Sequence, residues 1–177
     1  MRVITGSARG MTLKTLEGES VRPTTDKVKE AVFSIIQFEL EGRRVLDLFA
    51  GSGQLGIEAL SRGAESAVFV DSDKKAIKVV KENLEKTRLA DKALVAQTDS
   101  VAFLKMTDRV FDIVFLDPPY STGLLERALG ALSDRVADGG TVVCEMPHGD
   151  VLPDEAGDLK KYREYKYGKT VVTVYRK

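Results

Sequence analysis

Tryptophan is absent from the 177 residues, and cysteine and histidine occur once each. A single cysteine, Cys144, excludes an intrachain disulfide framework, and one histidine beside it cannot make a zinc cluster. No metal is expected. Cys144 lies in the apolar run Val142-Val143-Cys144 and reads as a small buried hydrophobe, in keeping with a reducing compartment. His148, between Pro147 and Gly149, reads as a loop residue. Long apolar runs are also missing. None approaches the roughly 18 residues of a membrane span, and Met1 to Gly6 lacks the apolar heart of a secretion signal. The expected setting is the cytoplasm, with no membrane partner and no obligatory protein partner.

Net charge is the last thing lacking, since 27 Lys and Arg balance 27 Asp and Glu. The charges are unevenly spread. Residues 1–29 hold six basic against three acidic side chains, and residues 158–177 hold seven against two. Basic ends on an acidic body fit a phosphate-bearing partner, although two solvated faces would look the same.

What is present is a series of short β-rich runs alternating with helical patterns. Residues 44–49, 67–71, 93–96, 111–117, 141–145 and 170–175 read as strands, several apolar enough to be covered on both faces. Between them, residues 73–89 place Ile77, Val80 and Leu84 at helical spacing, and residues 124–136 do the same with Leu125, Leu129 and Leu132. The alternation predicts an α/β doubly wound, Rossmann-like sheet. Ahead of it, residues 1–7 and 11–15 suit a small hairpin, and a helix follows Pro23-Thr24-Thr25 with Val28, Val32, Ile35 and Ile36 on one face. The expected organisation is one domain over 1–177, with a core at 41–177 and an appendage at 1–40.

Asp47-Leu48-Phe49-Ala50-Gly51-Ser52-Gly53-Gln54-Leu55-Gly56 leaves the first core strand and enters a helix. Gly51, Gly53 and Gly56 match G-x-G-x-x-G, and Asp71 ends the next strand twenty residues after Gly51. Alone, that pattern is a dinucleotide fingerprint. Asp47 shifts the choice, because a carboxylate four residues before the first glycine repels a pyrophosphate but suits the ammonium and sulfonium of S-adenosylmethionine. Asp71, with Ser72 beside it, is placed for ribose hydroxyls. Asp99 and Ser100, after the third strand, suit the adenine amino group, or else Asp99 caps the following helix.

Asp117-Pro118-Pro119-Tyr120 closes the fourth strand at the edge where open sheets bind ligands. An exocyclic amine on an aromatic base is a weak nucleophile, because its lone pair is delocalised into the ring. Acceptors holding its N–H groups can aim that lone pair. Asp117 offers a carboxylate, and the stiff Pro118-Pro119 turn offers a carbonyl. Tyr120 offers a ring on which the base can stack.

The glycine loop resembles the first motif of class I methyltransferases, and the four-residue motif resembles that of amino-methyltransferases acting on adenine, cytosine, guanine or glutamine. Four segments read together narrow this: 1–6 with Arg9-Gly10; Arg22-Pro23-Thr24 leading into 28–33; 46–56 running on to 58–64; and 117–120. In that order they resemble the bacterial 16S ribosomal RNA guanine-N2 methyltransferase family. The Asn83-Leu84 and Tyr167-Gly168 pairs also fit. The resemblance implies a mostly parallel class I sheet with an antiparallel final strand. It also implies methylation of a guanine N2 in 16S rRNA, within the small subunit or an assembly intermediate, using S-adenosylmethionine. Thr24 is then expected near the cofactor, Arg22 either in the same pocket or on rRNA phosphate, and Arg2, Arg9, Lys14 and Lys27 are candidate rRNA contacts. DNA adenine and protein glutamine remain alternative acceptors, and a catalytically silent nucleotide-binding or rRNA-chaperone module the alternative of another class.

Overall fold

The structure is a computed structural model that describes residues 1–16, 26–120 and 122–177. Arg22 and Thr24 therefore lie outside the described residues. The strands are β1 (Arg44–Asp47), β2 (Ser66–Asp71), β3 (Ala93–Gln97), β4 (Phe111–Leu116), β5 (Val136–Pro147), β6 (Glu155–Ala156), β7 (Leu159–Tyr167) and β8 (Thr170–Arg176). The helices are α1 (Asp26–Ile35), α2 (Gln54–Ser61), α3 (Lys74–Thr87), α4 (Ser100–Met106) and α5 (Leu124–Leu132). Among the described residues the strands form one sheet in the order β3-β2-β1-β4-β5-β8-β7-β6. β1 to β5 run parallel, and β8, β7 and β6 continue antiparallel.

Strand order reverses at β1, whose neighbours are β2 and β4. A crevice at such a switch point, outside the carboxyl ends of the strands, is where this architecture takes ligands. Alternation along the strands sends side chains to opposite faces. Val45, Phe69, Phe115, Val143 and Val172 join one core cluster with Val28, Val32 and Phe33 of α1. Leu46, Val68, Val114, Val142 and Cys144 join the other, with Leu104 of α4 and Leu125, Leu129 and Leu132 of α5. Each large apolar side chain buried this way contributes about 1.5–3 kcal/mol. Tyr175 is buried too, and its hydroxyl donates to the Pro153 carbonyl at 2.6 Å.

The expected doubly wound sheet and antiparallel last strand are found, with two differences. The sheet extends through β7 and β6, neither expected. In β7 most side chains stay in water and a register shift falls between Lys161 and Arg163, so no clean apolar alternation marks it. The helix expected at 124–136 stops at Leu132, and a 3-10 turn over Ser133–Arg135 hands the chain to β5.

The N-terminal hairpin is slighter than expected, with one antiparallel bridge between Arg2 and Thr12 and a few backbone bonds such as Val3 N–H to Met11 O at 2.9 Å. α2 is what holds it. The buried Glu58 carboxylate accepts from the Ile4 and Thr5 amides at 2.8 and 3.0 Å and from Arg62 Nε at 2.8 Å. Lys29 of α1, fully buried, lies 3.7 Å from Glu58 and donates to the Arg2 carbonyl at 2.6 Å. Burial pulls the Lys29 ammonium below its ordinary range, while Glu58 opposes that shift. Ser61 completes the seam by accepting from Ala8 N–H and donating to the Thr5 carbonyl.

Candidate active site

The carboxyl ends of β1, β2 and β4 open into a cavity of about 740 Å³. Asp47, Phe49, Gly51, Ser52, Gln54, Asp71, Ser72, Asp99, Ser100 and Asp117 through Tyr120 all line it. Gly53 sits behind its loop, packed toward Ile57 and Val80. Two motifs seventy residues apart in sequence thus share one chamber.

The glycine loop has its shape for identifiable reasons. Gly51 and Gly53 adopt φ of +53° and +79°, the left-handed region that favours glycine. A Cβ on Gly51 would meet nothing within 4 Å, so that backbone faces open space where a ligand can approach. Gly56 has the opposite reason, since a Cβ there would stand 2.3 Å from the Phe69 ring and force α2 off β2.

Asp47 is 2% exposed and accepts a hydrogen bond from Gly56 N–H at 3.0 Å. Burial pushes its carboxyl up to about 7, and the nearby Asp117 and Asp71 charges add to the rise, against the Gly56 hydrogen bond. A group held in that state has an unmet demand for a cation. Asp71 is anchored rather than loose, with Oδ2 accepting from Gly51 N–H and Oδ1 from Asp73 N–H, both at 2.9 Å. The cap of α3 is Asp73, which accepts from Lys75 N–H at 2.8 Å. Asp99 does cap α4, through Oδ1 to Ala102 N–H at 2.9 Å, while still facing the cavity. Gln54 Oε1 is buried with no hydrogen-bond partner among the described residues. An orphaned acceptor beside a buried carboxyl, next to an open glycine backbone, suits a cationic, donor-rich ligand.

Two contributors were not among the expected site residues, and the first carries little signal of its own in the sequence. Asn83 on α3 is buried, accepts from Lys14 N–H, and donates to the Lys14 and Ser52 carbonyls at 3.0 and 2.9 Å. It ties the N-terminal segment to the glycine loop, and Met1, Thr15 and Leu16 wall the cavity. Glu145 on β5, also lining the cavity, was not among the expected site residues. Its signal was available: an acid ends the apolar run Val142 to Cys144, as Asp47, Asp71 and Asp117 end theirs.

Of the basic candidates, the described ones, Arg2, Arg9, Lys14 and Lys27, do not line the cavity. Arg2, Arg9 and Lys27 are exposed, and Lys14 Nζ is 2.7 Å from Glu82, which occupies part of its charge. Cys144 is buried, and burial raises its thiol above the ordinary range, so it is no nucleophile.

Comparison with known proteins agrees with this geometry. Over the whole chain the sequence is 45% identical to the Bacillus subtilis protein named "Putative rRNA methyltransferase YlbH", covering 99% of it. It is 34% identical to the "Ribosomal RNA small subunit methyltransferase D" of Escherichia coli strain K12, again over the whole chain and 90% of that protein. Among solved structures, "Putative methyltransferase yhhF from Escherichia coli" superposes with a TM-score of 0.90 at 34% identity, covering all of this chain and 97% of that one. The family model described as "Conserved hypothetical protein 95" matches residues 1–176, and the chain belongs to that family.

Proposed function

We propose that the chain transfers a methyl group from S-adenosylmethionine to the exocyclic N2 amine of a guanine in 16S rRNA. The observation that carries this is a single cavity shared by Asp117-Pro118-Pro119-Tyr120, the buried Asp47 and the open glycine loop. The names of the two relatives support an rRNA acceptor, one of them naming the small subunit. The whole chain acts as one catalytic domain, with residues 1–40 as an appendage to the core, and it works in the cytoplasm on the small subunit or an assembly intermediate.

S-adenosylmethionine supplies an electrophilic methyl on a sulfonium. Asp47 opposes its cationic end, with Phe49, Gly51, Ser52, Gly53 and Gln54 shaping the pocket. Asp71 and Ser72 serve the ribose; the free lone pairs of the Asp71 oxygens remain after its two backbone bonds. Asp99 and Ser100 serve the adenine, Asp99 through the oxygen not used in capping. Thr24 is assigned to the same pocket and Arg22 to rRNA phosphate, on the family resemblance alone. Asp117 and the Pro118 carbonyl accept the two N–H bonds of the target amine and turn its lone pair toward the methyl group. The proton leaves an acidic ammonium product, so no strong base is needed. Positioning and fixed charge provide the rate.

Tyr120 stacks the base, a contact typically worth about 1–3 kcal/mol. Unstacked bases of loops and bulges are the natural targets, and a stacked one is flipped at a cost of a few kcal/mol. Arg2, Arg9, Lys14 and Lys27 hold the rRNA backbone.

The test is radiolabelled methyl transfer to undermodified small subunits, naked rRNA, DNA and bulk protein, followed by nucleoside mass spectrometry. N2-methylguanosine in small-subunit RNA is the expected product. Label confined to DNA adenine or to protein glutamine would sink the proposal.

A further inference from the structure

Two acids of the cavity have no task in the mechanism above: Asp73, which caps α3, and Glu145. Glu145 is 6% exposed and lines the chamber, so its carboxyl is held within the wall that a bound base would meet. Its position relative to the catalytic loop follows from the register. Leu116 of β4 pairs with Cys144 of β5 in parallel, so Asp117 and Glu145 leave adjacent strands at the same level. Neighbouring strands are about 4.8 Å apart.

Both side chains also share a face. Phe115 and Val143, two residues earlier on each strand, belong to one core cluster, while Val114, Leu116, Val142 and Cys144 belong to the opposite one. Asp47 follows Val45 onto that same face. Asp117 and Glu145 therefore stand side by side at one level, while Asp47 lies on the same face two residues deeper, level with Phe115 and Val143. A base whose amine is held at Asp117 has its neighbouring ring atom beside Glu145.

We propose that Glu145 selects guanine by accepting its N1–H while Asp117 holds the adjacent N2 amine; this rests on the function proposed above. Guanine is the base whose exocyclic amine has a ring N–H donor next to it. Adenine and cytosine carry an acceptor nitrogen in that place, and a carboxylate facing its lone pair is repelled. A buried acceptor left without its donor is the kind of penalty that gives strong discrimination. Hydrogen bonds to charged groups are also the stronger class. Like charge on the same face also repels rRNA phosphates.

The test compares wild type with Glu145→Gln on small subunits reconstituted with guanine or 2-aminopurine at the methylated position, mapped first with wild-type enzyme. 2-Aminopurine keeps the N2 amine but presents an acceptor at N1. Wild type should prefer guanine at least tenfold in kcat/KM. Glu145→Gln can donate its amide N–H to the N1 acceptor of 2-aminopurine but offers guanine N1–H only a neutral oxygen, so it should lose about 10- to 100-fold on guanine and collapse or invert the preference. Its affinity for S-adenosylmethionine and its melting temperature should stay near wild type. If that variant does not fold, Glu145→Asp takes its place, with lower kcat/KM on guanine and an unchanged sign of preference expected. An unchanged preference in Glu145→Gln, or a matched loss on both bases together with cofactor affinity, overturns the selector role alone. Wild-type label on adenine or on no RNA base overturns the guanine proposal and this inference with it.

Discussion

Asp47 should make cofactor binding depend on pH in a range where few carboxylates titrate. Its carboxyl, ordinarily at 3.8, stands at about 7 because burial disfavours its charged form. At about 1.4 kcal/mol per pH unit, ionising it in the empty cavity costs about 4 kcal/mol more than in water. For a carboxyl raised on folding, the folded chain binds more protons than the unfolded one. Stability is thus fully present below about pH 4 and falls as pH rises toward about 7. A bound cation reverses the preference, because it meets the ionised form.

Cofactor affinity then scales with the ionised fraction, about nine-tenths at pH 8 and about one-tenth at pH 6. The apparent Kd should rise about tenfold between those values. Near pH 7 about half a proton should be released per cofactor bound. Titration calorimetry in two buffers of different ionisation enthalpy reads both quantities. Asp47→Asn is the control: the cofactor's own ammonium titrates identically against both proteins, and the variant should bind more weakly with a flatter profile. Affinity unchanged from pH 6 to 8 in the wild type, or the same slope in Asp47→Asn, would refute the assignment.

Asp117→Ala should abolish turnover while cofactor affinity stays within a few-fold by calorimetry; equal loss of both would make Asp117 structural. Gly56→Ala should lower stability by about 1–3 kcal/mol in urea titration, because its methyl would stand 2.3 Å from Phe69. An Ala variant as stable as wild type would mean that α2 can lift from β2 without cost. Glu58→Ala removes the acceptor of two amides and of Arg62 and strands the buried Lys29, a loss of about 3–5 kcal/mol expected in the same measurement.

The parallel half of the fold and the cofactor loop were legible because both depend on local pattern. Apolar runs mark β1, β2 and β4, and the glycines at 51, 53 and 56 each answer a local steric demand. What escaped depends on distance. β7 earns its place by pairing with β8, and its own side chains, Lys160 to Lys166, show little of that. Asn83 and Glu58 look like ordinary helix residues until the N-terminal segment lands on them. Glu145 shows in the sequence as an acid ending an apolar run, but its place beside Asp117 comes from the register of β5 on β4. The Lys14–Glu82 pair joins residues 68 apart, so the state of that charge could not be read from either neighbourhood.

α2 is eight residues long, yet it answers to two constituencies. Gln54 at its start lines the cavity, and Glu58, one turn later, anchors the N-terminal segment. One helical turn is about 5.4 Å, well inside the range where mutational effects stop being additive. A substitution chosen at Glu58 to loosen the N-terminal seam will therefore also register as a cofactor phenotype. Only a double-mutant cycle with Gln54 can apportion the loss between the two ends of that short rod.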